Sequence, residues 1–387
     1  MKLKKFFAGV VAAAMMLTVG ATAALATAGT DEAATRPATP IPATVSLGIK
    51  KNYKVLKGTS PAVDFSFTAA YKADKSQPYG NSYTFTDKTY PVHFDSAAAT
   101  NAEQAVSAKD LGIKIEDFNL PAGPGKYVFE ISENIPEDSE KVLGVEYDKT
   151  KRYLSITVAN DAAMSGNFVY YAQLYSEYAD GATLGAVDKK VAGDNAFTNT
   201  YGKTQDGSDL VHNVVINKQI AGNFSDLTKS FNFTIKLSPA DGKKNDYVGA
   251  KVISYDGSTK DVLNQTWSFD NSTEHSISLG RNQSIELENL PEGVVVTVVE
   301  TDGTEYVVTK SDEAVKNGYA PIGSLNDNNT VTATVGTANG SIGFINTKEG
   351  TPDMGVVLDN APYIAMLAIV AIGGVALMLN KRRRDEE

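Results

Sequence analysis

The sequence contains no cysteine among its 387 residues, so disulfide bonds cannot reinforce this protein. Histidine is also scarce, and His93, His212 and His275 lie far apart in the chain. That spacing matches neither a set of metal ligands nor a catalytic triad. We therefore expect no metal, no cofactor and no enzyme activity on a substrate. Any covalent reinforcement has to come from other side chains.

Basic residues are also fewer than acidic residues. The chain has 36 Lys and Arg residues against 46 Asp and Glu residues, a net charge of −10. Residues 1–26 carry three lysines and residues 355–387 carry no net charge, so the part between them carries −10 − 3 = −13. Such acidity disfavours nucleic acid and anionic lipid as partners. Neither a phosphate-binding loop nor a basic aromatic patch is present, so we expect no nucleic-acid binding.

Both ends of the chain have the composition of membrane-directed segments. Residues 1–26 combine a basic start, an apolar stretch and the small-residue site Ala24-Leu25-Ala26, which is typical of a signal peptide. Residues 361–380 are long and apolar enough for a transmembrane helix. Residues 381–387 begin with four basic side chains and are predicted to be a cytoplasmic tail. The part between is therefore predicted to be extracellular, at the cell surface.

A short motif precedes the predicted transmembrane helix, within a linker at residues 348–360. Its residues are Thr351, Pro352, Asp353, Met354 and Gly355. The layout of motif, hydrophobic helix and basic tail resembles the cell-wall sorting signal of Gram-positive surface proteins, whose consensus is Leu-Pro-any-Thr-Gly. Pro352 and Gly355 match it, whereas Thr351 replaces Leu and Met354 replaces Thr. The resemblance implies sortase as a partner and cell-wall anchoring; the alternative is a plain single-pass membrane anchor.

Between the two ends, short segments alternate apolar and polar residues, and no long amphipathic helix is evident. Residues 27–43 are rich in Ala, Thr and Pro and are predicted to be a disordered lead-in. Residues 44–201 and 211–347 form two strand-rich units, separated by a polar, glycine-containing linker at residues 202–210. The chain is therefore predicted to be all-β, with two tandem immunoglobulin-like β-sandwiches.

The two units repeat a set of three polar residues. Each has a lysine on the apolar face of its first strand, a glutamate that completes an apolar face, and an asparagine two residues after a phenylalanine. These residues are Lys51, Glu133 and Asn199 in the first unit, and Lys218, Glu300 and Asn346 in the second. The lysine-to-glutamate separation is equal, since 133 − 51 = 82 and 300 − 218 = 82. A register shift of one residue would exchange Lys51 for Lys50.

These residue types support one reaction when they meet in a core. An apolar pocket lowers the pKa of a lysine and raises that of a glutamate, so that both can be neutral. A neutral amine can attack a carboxamide carbon and expel ammonia, while the glutamate polarises the carbonyl and shuttles protons. The predicted bonds are Lys51–Asn199 and Lys218–Asn346, with Glu133 and Glu300 as proton shuttles. Taken singly, each residue has an ordinary alternative: a strand lysine often reaches solvent and a glutamate often caps or pairs.

In the first unit, Lys51 is followed by Tyr127–Glu133, Gly144–Asp148 and Phe197–Tyr201. This order resembles the streptococcal pilin isopeptide-linkage family. The resemblance implies a covalent bond between the first and last strands, so that a pulling force bypasses the hydrogen bonds of the sheet.

In the second unit, Lys218–Gly222, Leu290–Gly293, Val298–Glu300 and Phe344–Asn346 are similar to Cna-B-like domains of Gram-positive pilins and adhesins. Together the two resemblances imply a structural surface protein, a sortase-assembled pilus subunit. Its partners would be sortase and other pilin subunits, including copies of itself, or peptidoglycan. The alternative is a monomeric adhesin, anchored to wall or membrane, that binds a host or matrix ligand.

In relatives from pilus shafts, sortase joins the C-terminus of one subunit to a lysine of the next. Lys189 and Lys190 occupy a comparable place, shortly before the last strand of the first unit, among small and polar residues. They are our candidates for the inter-subunit lysine. The alternative is that they are ordinary loop lysines.

Overall fold

The computed structural model describes residues 40–99, 104–161, 166–178, 189–239, 250–256, 259–267, 273–312 and 317–351. Within these ranges the chain consists of β-strands and four short 3-10 helices, which confirms the predicted all-β fold. No helix in this part of the chain is long and apolar enough to cross a bilayer. The predicted signal peptide, the transmembrane helix, the cytoplasmic tail and residues 352–360 lie outside the described residues.

The described residues of the first sandwich form twelve strands. They are β1 (Lys50–Val55), β2 (Thr59–Ser60), β3 (Val63–Tyr71), β4 (Lys88–Phe94), β5 (Ala97–Ala98), β6 (Ala105–Asp110), β7 (Gly125–Glu133), β8 (Val145–Glu146), β9 (Lys151–Asn160), β10 (Phe168–Glu177), β11 (Lys189–Lys190) and β12 (Phe197–Tyr201). One sheet has the order β6-β1-β12-β8 and the facing sheet has the order β11-β10-β9-β7-β3-β4. Strands β2 and β5 form a separate ribbon.

The four short helices all lie in the connections of the first sandwich. Their bounds are Ala73–Lys75, Tyr79–Asn81, Ile115–Phe118 and Gly193–Asn195.

The core of the first sandwich follows from the two-residue period of its strands. In β3, Val63, Phe65, Phe67 and Ala69 are buried while the residues between them are half-buried or exposed. Aromatic rings fill much of the space between the sheets, as they bury large apolar areas in T-shaped and tilted contacts.

In the second sandwich, the part of the chain that the structure describes forms a further twelve strands. They are β13 (Val211–Ala221), β14 (Phe231–Pro239), β15 (Ala250–Asp256), β16 (Thr259–Trp267), β17 (Glu274–Leu279), β18 (Gln283–Pro291), β19 (Val294–Glu300), β20 (Val307–Ser311), β21 (Ala320–Pro321), β22 (Ser324–Leu325), β23 (Thr330–Thr334) and β24 (Gly340–Thr347). One sheet has the order β16-β15-β18-β13-β24-β20, with β21 also on β24. The other has the order β17-β14-β19-β23-β22.

The first and last strands of each sandwich are parallel neighbours, in the same register. Lys51 of β1 is opposite Phe197 of β12, and Lys218 of β13 is opposite Phe344 of β24. In each case the asparagine lies two residues beyond that phenylalanine, on the same face of the sheet. Strand pairing therefore places each lysine beside its asparagine.

The glutamates come from the facing sheets, again in matching positions. Glu133 is the last residue of β7 and is opposite Phe67 of β3. Glu300 is the last residue of β19 and is opposite Phe233 of β14. Each sandwich thus brings one residue from a third strand across the core to the lysine and asparagine.

Residues 202–210, predicted to be a linker, are hydrogen-bonded to both sandwiches. The Gly202 N–H donates to the Gly144 carbonyl of the first sandwich at 2.9 Å, and the Glu292 N–H of the second sandwich donates to the Leu210 carbonyl at 3.1 Å. Lys57 Nζ lies 2.8 Å from Asp209 Oδ2. Leu143 of the first sandwich packs against the core of the second. The junction therefore has direct packing and polar contacts and is not an extended spacer.

The end of the predicted lead-in also belongs to the first sandwich. Ile41 and Ala43 pack against its core, and the Ile41 N–H donates to the Tyr170 carbonyl at 2.8 Å. The apolar side chain of Ile41 gains burial there. The contacts of the first sandwich therefore extend into the end of the predicted lead-in; residues 27–39 lie outside the described residues.

Candidate functional site

In the first sandwich, three polar side chains lie together within the hydrophobic core. The side chains of Lys51 and Glu133 are 0% exposed, and Asn199 is 0% exposed. The rings of Phe65 and Phe67 flank the lysine, with centroids 5.1 and 5.4 Å from Nζ. The structure therefore brings together the three residues that the sequence selected in this unit.

Their polar atoms form a closed set of contacts. Lys51 Nζ lies 2.7 Å from Glu133 Oε2 and 2.5 Å from Asn199 Oδ1. Asn199 Nδ2 donates to the other glutamate oxygen, Oε1, at 2.7 Å. The glutamate thus contacts both the amine that would attack and the amide nitrogen that would leave. We expected it to polarise the carbonyl, but its contact is with the nitrogen side of the amide.

The carbonyl oxygen of Asn199 is contacted by a residue for which the sequence predicts no catalytic role. The backbone N–H of Asp148 donates to Asn199 Oδ1 at 2.6 Å. Because a backbone N–H can only donate, this contact determines which end of the amide is oxygen. Asp148 ends the segment Gly144–Asp148 that carries part of the family resemblance. The presence of Asp148 in this segment was the indication that the sequence offered, and it did not predict a backbone contact with Asn199.

Burial changes the acid–base properties of the first cluster. Desolvation lowers the pKa of Lys51, against the attraction of the Glu133 carboxylate. Desolvation likewise raises the pKa of Glu133, against its contacts with Lys51 and Asn199. Both shifts favour the uncharged forms, and an uncharged amine is the nucleophile that amide attack requires.

The second cluster repeats the two contacts of the glutamate, with a longer distance to the lysine. Lys218 Nζ lies 3.1 Å from Glu300 Oε2, and both side chains are 0% exposed. Asn346 Nδ2 donates to Glu300 Oε1. Burial lowers the pKa of Lys218 to about 8. The Phe231 ring centroid is 4.3 Å from Nζ, so a large part of the surroundings is aromatic.

One atom of the second cluster differs from its counterpart in the first. Asn346 Oδ1 is buried and has no hydrogen-bond partner among the described residues. Gly303 lies beside the cluster: a Cβ at this position would be 2.7 Å from Glu300 Oε1 and 3.4 Å from Asn346 Nδ2. The absence of a side chain at Gly303 therefore keeps room for the glutamate and the amide.

The strand register distinguishes Lys51 from Lys50. Lys50 is partly exposed and its Nζ lies 2.6 Å from the exposed Asp194. Lys51, with Leu47 and Ile49, faces the core. Lys51 is thus the lysine placed against the glutamate and the asparagine.

Lys189 and Lys190 do not lie in an irregular loop. They form β11, at the edge of a sheet, where Lys190 is opposite Tyr175. Lys190 is exposed. Of the predicted sorting motif, Thr351 is described and exposed, and Pro352 to Gly355 lie outside the described residues.

Each sandwich matches one family model. Residues 49–202 match the family described as Spy0128-like isopeptide containing domain. Residues 212–348 match a domain of unknown function, DUF7601. The likeness of the second sandwich to Cna-B-like domains stays a prediction.

Known pilins are similar to most of the chain. A pilin of Streptococcus pyogenes serotype M1 is 29% identical over 274 residues, which are 67% of this chain and 68% of that pilin. The crystal structure of the major pilin from Streptococcus pyogenes matches with a TM-score of 0.50 and 20% identity, covering 78% of this chain and 98% of that one. A single-residue variant of it matches with a TM-score of 0.51, at the same identity and coverage. These structural matches show a shared two-sandwich fold.

Proposed function

We propose that this chain, whose first sandwich is a Spy0128-like isopeptide containing domain, is a structural subunit of a cell-surface pilus with one Lys–Asn cross-link in each sandwich. The observation that carries the proposal is the double occurrence of a buried lysine, glutamate and asparagine in one register. Buried charged groups without a compensating role are destabilising, and two such sets in one chain require an explanation.

The first cluster is arranged for amide exchange. Neutral Lys51 Nζ attacks Cγ of Asn199, and a bond forms between them. The neutral Glu133 carboxyl gives its own proton through Oε1 to Nδ2, 2.7 Å away, and its Oε2, 2.7 Å from Nζ, takes the proton that Nζ loses. The Cγ–Nδ2 bond breaks, and ammonia leaves. The glutamate ends as it began, so the net change is loss of one ammonia.

In the second cluster, the same sequence of steps joins Lys218 to Asn346. Glu300 contacts Lys218 Nζ with one oxygen and Asn346 Nδ2 with the other. Both reactions consume their residues in a single turnover, so the chain matures itself and is not an enzyme acting on a substrate.

The position of the bonds suits a protein under tension. Each cross-link joins the first strand of a sandwich to its last, and these strands are parallel neighbours. A force applied along the chain would otherwise separate them by breaking backbone hydrogen bonds, which each contribute only about 0.5–1.5 kcal/mol. A covalent bond between them keeps the load off those hydrogen bonds. This replaces the reinforcement that a cysteine-free chain cannot obtain from disulfides.

Assembly at the cell surface is the second part of the proposal. Residues 361–380 would first hold the chain at the membrane. Sortase would then cleave within the motif Thr351–Gly355 and join the chain to another subunit or to peptidoglycan. The position of Lys189–Lys190 in an edge strand supports these lysines as acceptors, since Lys190 is exposed there.

Intact mass tests the cross-links directly. The full-length chain is expressed, its N-terminus is determined, and its mass is compared with the calculated mass; each bond lowers it by about 17 Da, one ammonia. We expect a deficit of two ammonias, reduced to one by Glu133→Ala or by Glu300→Ala. Peptide mapping assigns the remaining bond. A wild-type chain with the full calculated mass would contradict the proposal.

Polymer formation tests assembly separately. In its native host, a pilus subunit forms ladders that persist after boiling in detergent, whereas a monomeric adhesin gives a single species. We expect Lys189→Arg/Lys190→Arg to remove the ladder while leaving both internal bonds. A ladder unchanged in this variant would exclude both lysines as acceptors.

A further inference from the structure

The loop between β8 and β9 is held in place by one buried carboxylate. Asp148 is 6% exposed, and its Oδ1 accepts hydrogen bonds from the Thr150 N–H at 2.8 Å and from Thr150 Oγ1 at 2.5 Å. Its Oδ2 accepts from the Thr198 N–H at 2.7 Å. The carboxylate therefore ties its own loop to β12, at the residue before Asn199.

The same residue directs its backbone N–H at the reacting amide. The distance from Asp148 N to Asn199 Oδ1 is 2.6 Å, and both residues are buried. Since the side chain binds Thr198 while the backbone binds Asn199, donor and acceptor are fixed relative to each other. A preorganised donor in a water-excluded site stabilises negative charge without reorganisation during the reaction.

We propose that the Asp148 backbone amide is a catalytic group for the first cross-link, and that the Asp148 side chain positions it; this rests on the cross-linking function proposed above. When Lys51 Nζ attacks Cγ of Asn199, the carbonyl electron pair moves onto Oδ1. The Asp148 N–H stabilises that oxyanion. Glu133 contacts the two nitrogens, so proton transfer and oxyanion stabilisation are carried out by different residues. The electron pair then returns as ammonia leaves, and no other reactant is needed.

The chain offers a matched control for the side chain. Asp226 of the second sandwich accepts from the Thr228 N–H and from Thr228 Oγ1 with its Oδ1, as Asp148 does with Thr150. Asp226 is exposed, and within the described residues it forms hydrogen bonds with Tyr306 and Thr228, which lie outside both lysine–asparagine clusters. Asp226→Ala therefore removes the same kind of turn without disturbing a candidate oxyanion donor.

The test follows bond formation in time. The full-length chain and its Asp148→Ala, Asp148→Asn and Asp226→Ala variants are made by cell-free translation and stopped at intervals in acidic urea. Peptide mapping by mass spectrometry then gives the fraction of each bond. We expect Asp148→Ala to slow the first bond at least about tenfold, since loss of a full oxyanion donor costs about 10²–10³ in rate. Asp148→Asn, which keeps one side-chain oxygen, should recover part of the rate, and Asp226→Ala should equal wild type.

A second readout separates catalysis from folding. In a Lys51→Met background, which cannot form the first bond, Asp148→Ala should leave the near-ultraviolet circular dichroism unchanged. It should also move the carboxamide ¹³C resonance of Asn199 to lower frequency, because the carbonyl loses its donor.

The outcomes are distinct. A first bond that forms at the wild-type rate in Asp148→Ala would overturn the role of Asp148 while leaving the cross-linking function intact. An unchanged Asn199 resonance in the Lys51→Met background would overturn it as well, even if bond formation slowed through misfolding. A wild-type chain that forms neither bond would instead refute the proposed function itself.

Discussion

The two sandwiches bury the same three side chains in the same register but surround the asparagine differently. In the first, Asn199 Oδ1 is contacted by both Lys51 and the Asp148 N–H. In the second, Asn346 Oδ1 has no partner among the described residues. The shared part is set by strand pairing, whereas the different part is set by connections between strands. The placement of the three side chains is thus common to both sandwiches, and the two contacts on the carbonyl oxygen are found in the first.

The sequence separations of the three residues also show a shared part and a differing part. The lysine and glutamate are 82 residues apart in both sandwiches. The glutamate and asparagine are 66 residues apart in the first and 46 in the second. Asp148 belongs to the longer of these two segments. Four experiments separate the features that the two sandwiches share from those that are specific to one.

The largest effect should come from removing each cross-link. Asn199→Ala opens a loop of 148 residues and Asn346→Ala one of 346 − 218 = 128 residues. By analogy with disulfides, each should lower the free energy of unfolding by about 5 kcal/mol, because loop-closure entropy depends weakly on length. Guanidinium denaturation of each variant measures this, with the exposed Asn328→Ala as control. Equal decreases in the free energy of unfolding would assign the stabilisation to loop closure. If neither variant is less stable than wild type, the cross-links are contradicted.

The next largest effect should be a pH dependence of folding stability in the second sandwich when its Lys218–Asn346 cross-link cannot form. In Asn346→Ala, burial holds the pKa of Lys218 at about 8, below its ordinary 10.5. The unfolded chain then binds more protons than the folded chain between these values, so stability should rise with pH across this window, by up to about 3 kcal/mol.

Thermal unfolding between pH 7 and 10 measures this rise. The double variant Lys218→Met/Asn346→Ala has no amine to titrate and should lack it. In Asn199→Ala the rise should recur, because burial also lowers the pKa of Lys51. A midpoint that falls steadily from pH 8 would show that Lys218 is charged in the folded chain.

A smaller effect should follow from filling the space beside the second cluster. In Gly303→Ala the new Cβ would lie 2.7 Å from Glu300 Oε1 and 2.9 Å from Val308 Cγ2. We expect a cost of about 1–3 kcal/mol from overpacking and a lower fraction of the second bond, with the first bond unchanged. Denaturation and peptide mapping report both quantities. Gly336→Ala is the control, since no atom lies within 4 Å of its added Cβ; equal behaviour of the two variants would contradict the predicted crowding.

The smallest effect concerns the junction. Leu143 of the first sandwich packs against the core of the second, so Leu143→Ala should destabilise the second sandwich by about 1–2 kcal/mol, less than for a fully buried leucine. Differential scanning calorimetry should then show the transitions of the two sandwiches further apart. Leu227→Ala, at a side chain that is 45% exposed, is the control. An unchanged thermogram would mean that the sandwiches unfold independently of this contact.

Local periodicity was sufficient to predict the all-β class and the orientation of Lys51. Lys51 follows Leu47 and Ile49 at intervals of two residues, so it shares their face, and the structure buries all three. The repeated set of lysine, glutamate and asparagine then identified all six residues of the two clusters. Periodicity did not predict the contacts of Ile41, because a single apolar residue in an Ala- and Pro-rich segment has no periodic pattern.

The amino-acid sequence by itself determined the all-β class, the two units and the six residues of the two clusters. Side-chain alternation can be read within each strand, and the repeated spacing can be read by comparing the two units. Only the tertiary structure decided which end of the Asn199 amide is held by which partner. The Asp148 N–H and its acceptor are 51 residues apart in sequence, and their contact depends on where one loop crosses the edge of a sheet. A backbone donor has no residue-type signature, so its direction follows from the folded chain alone.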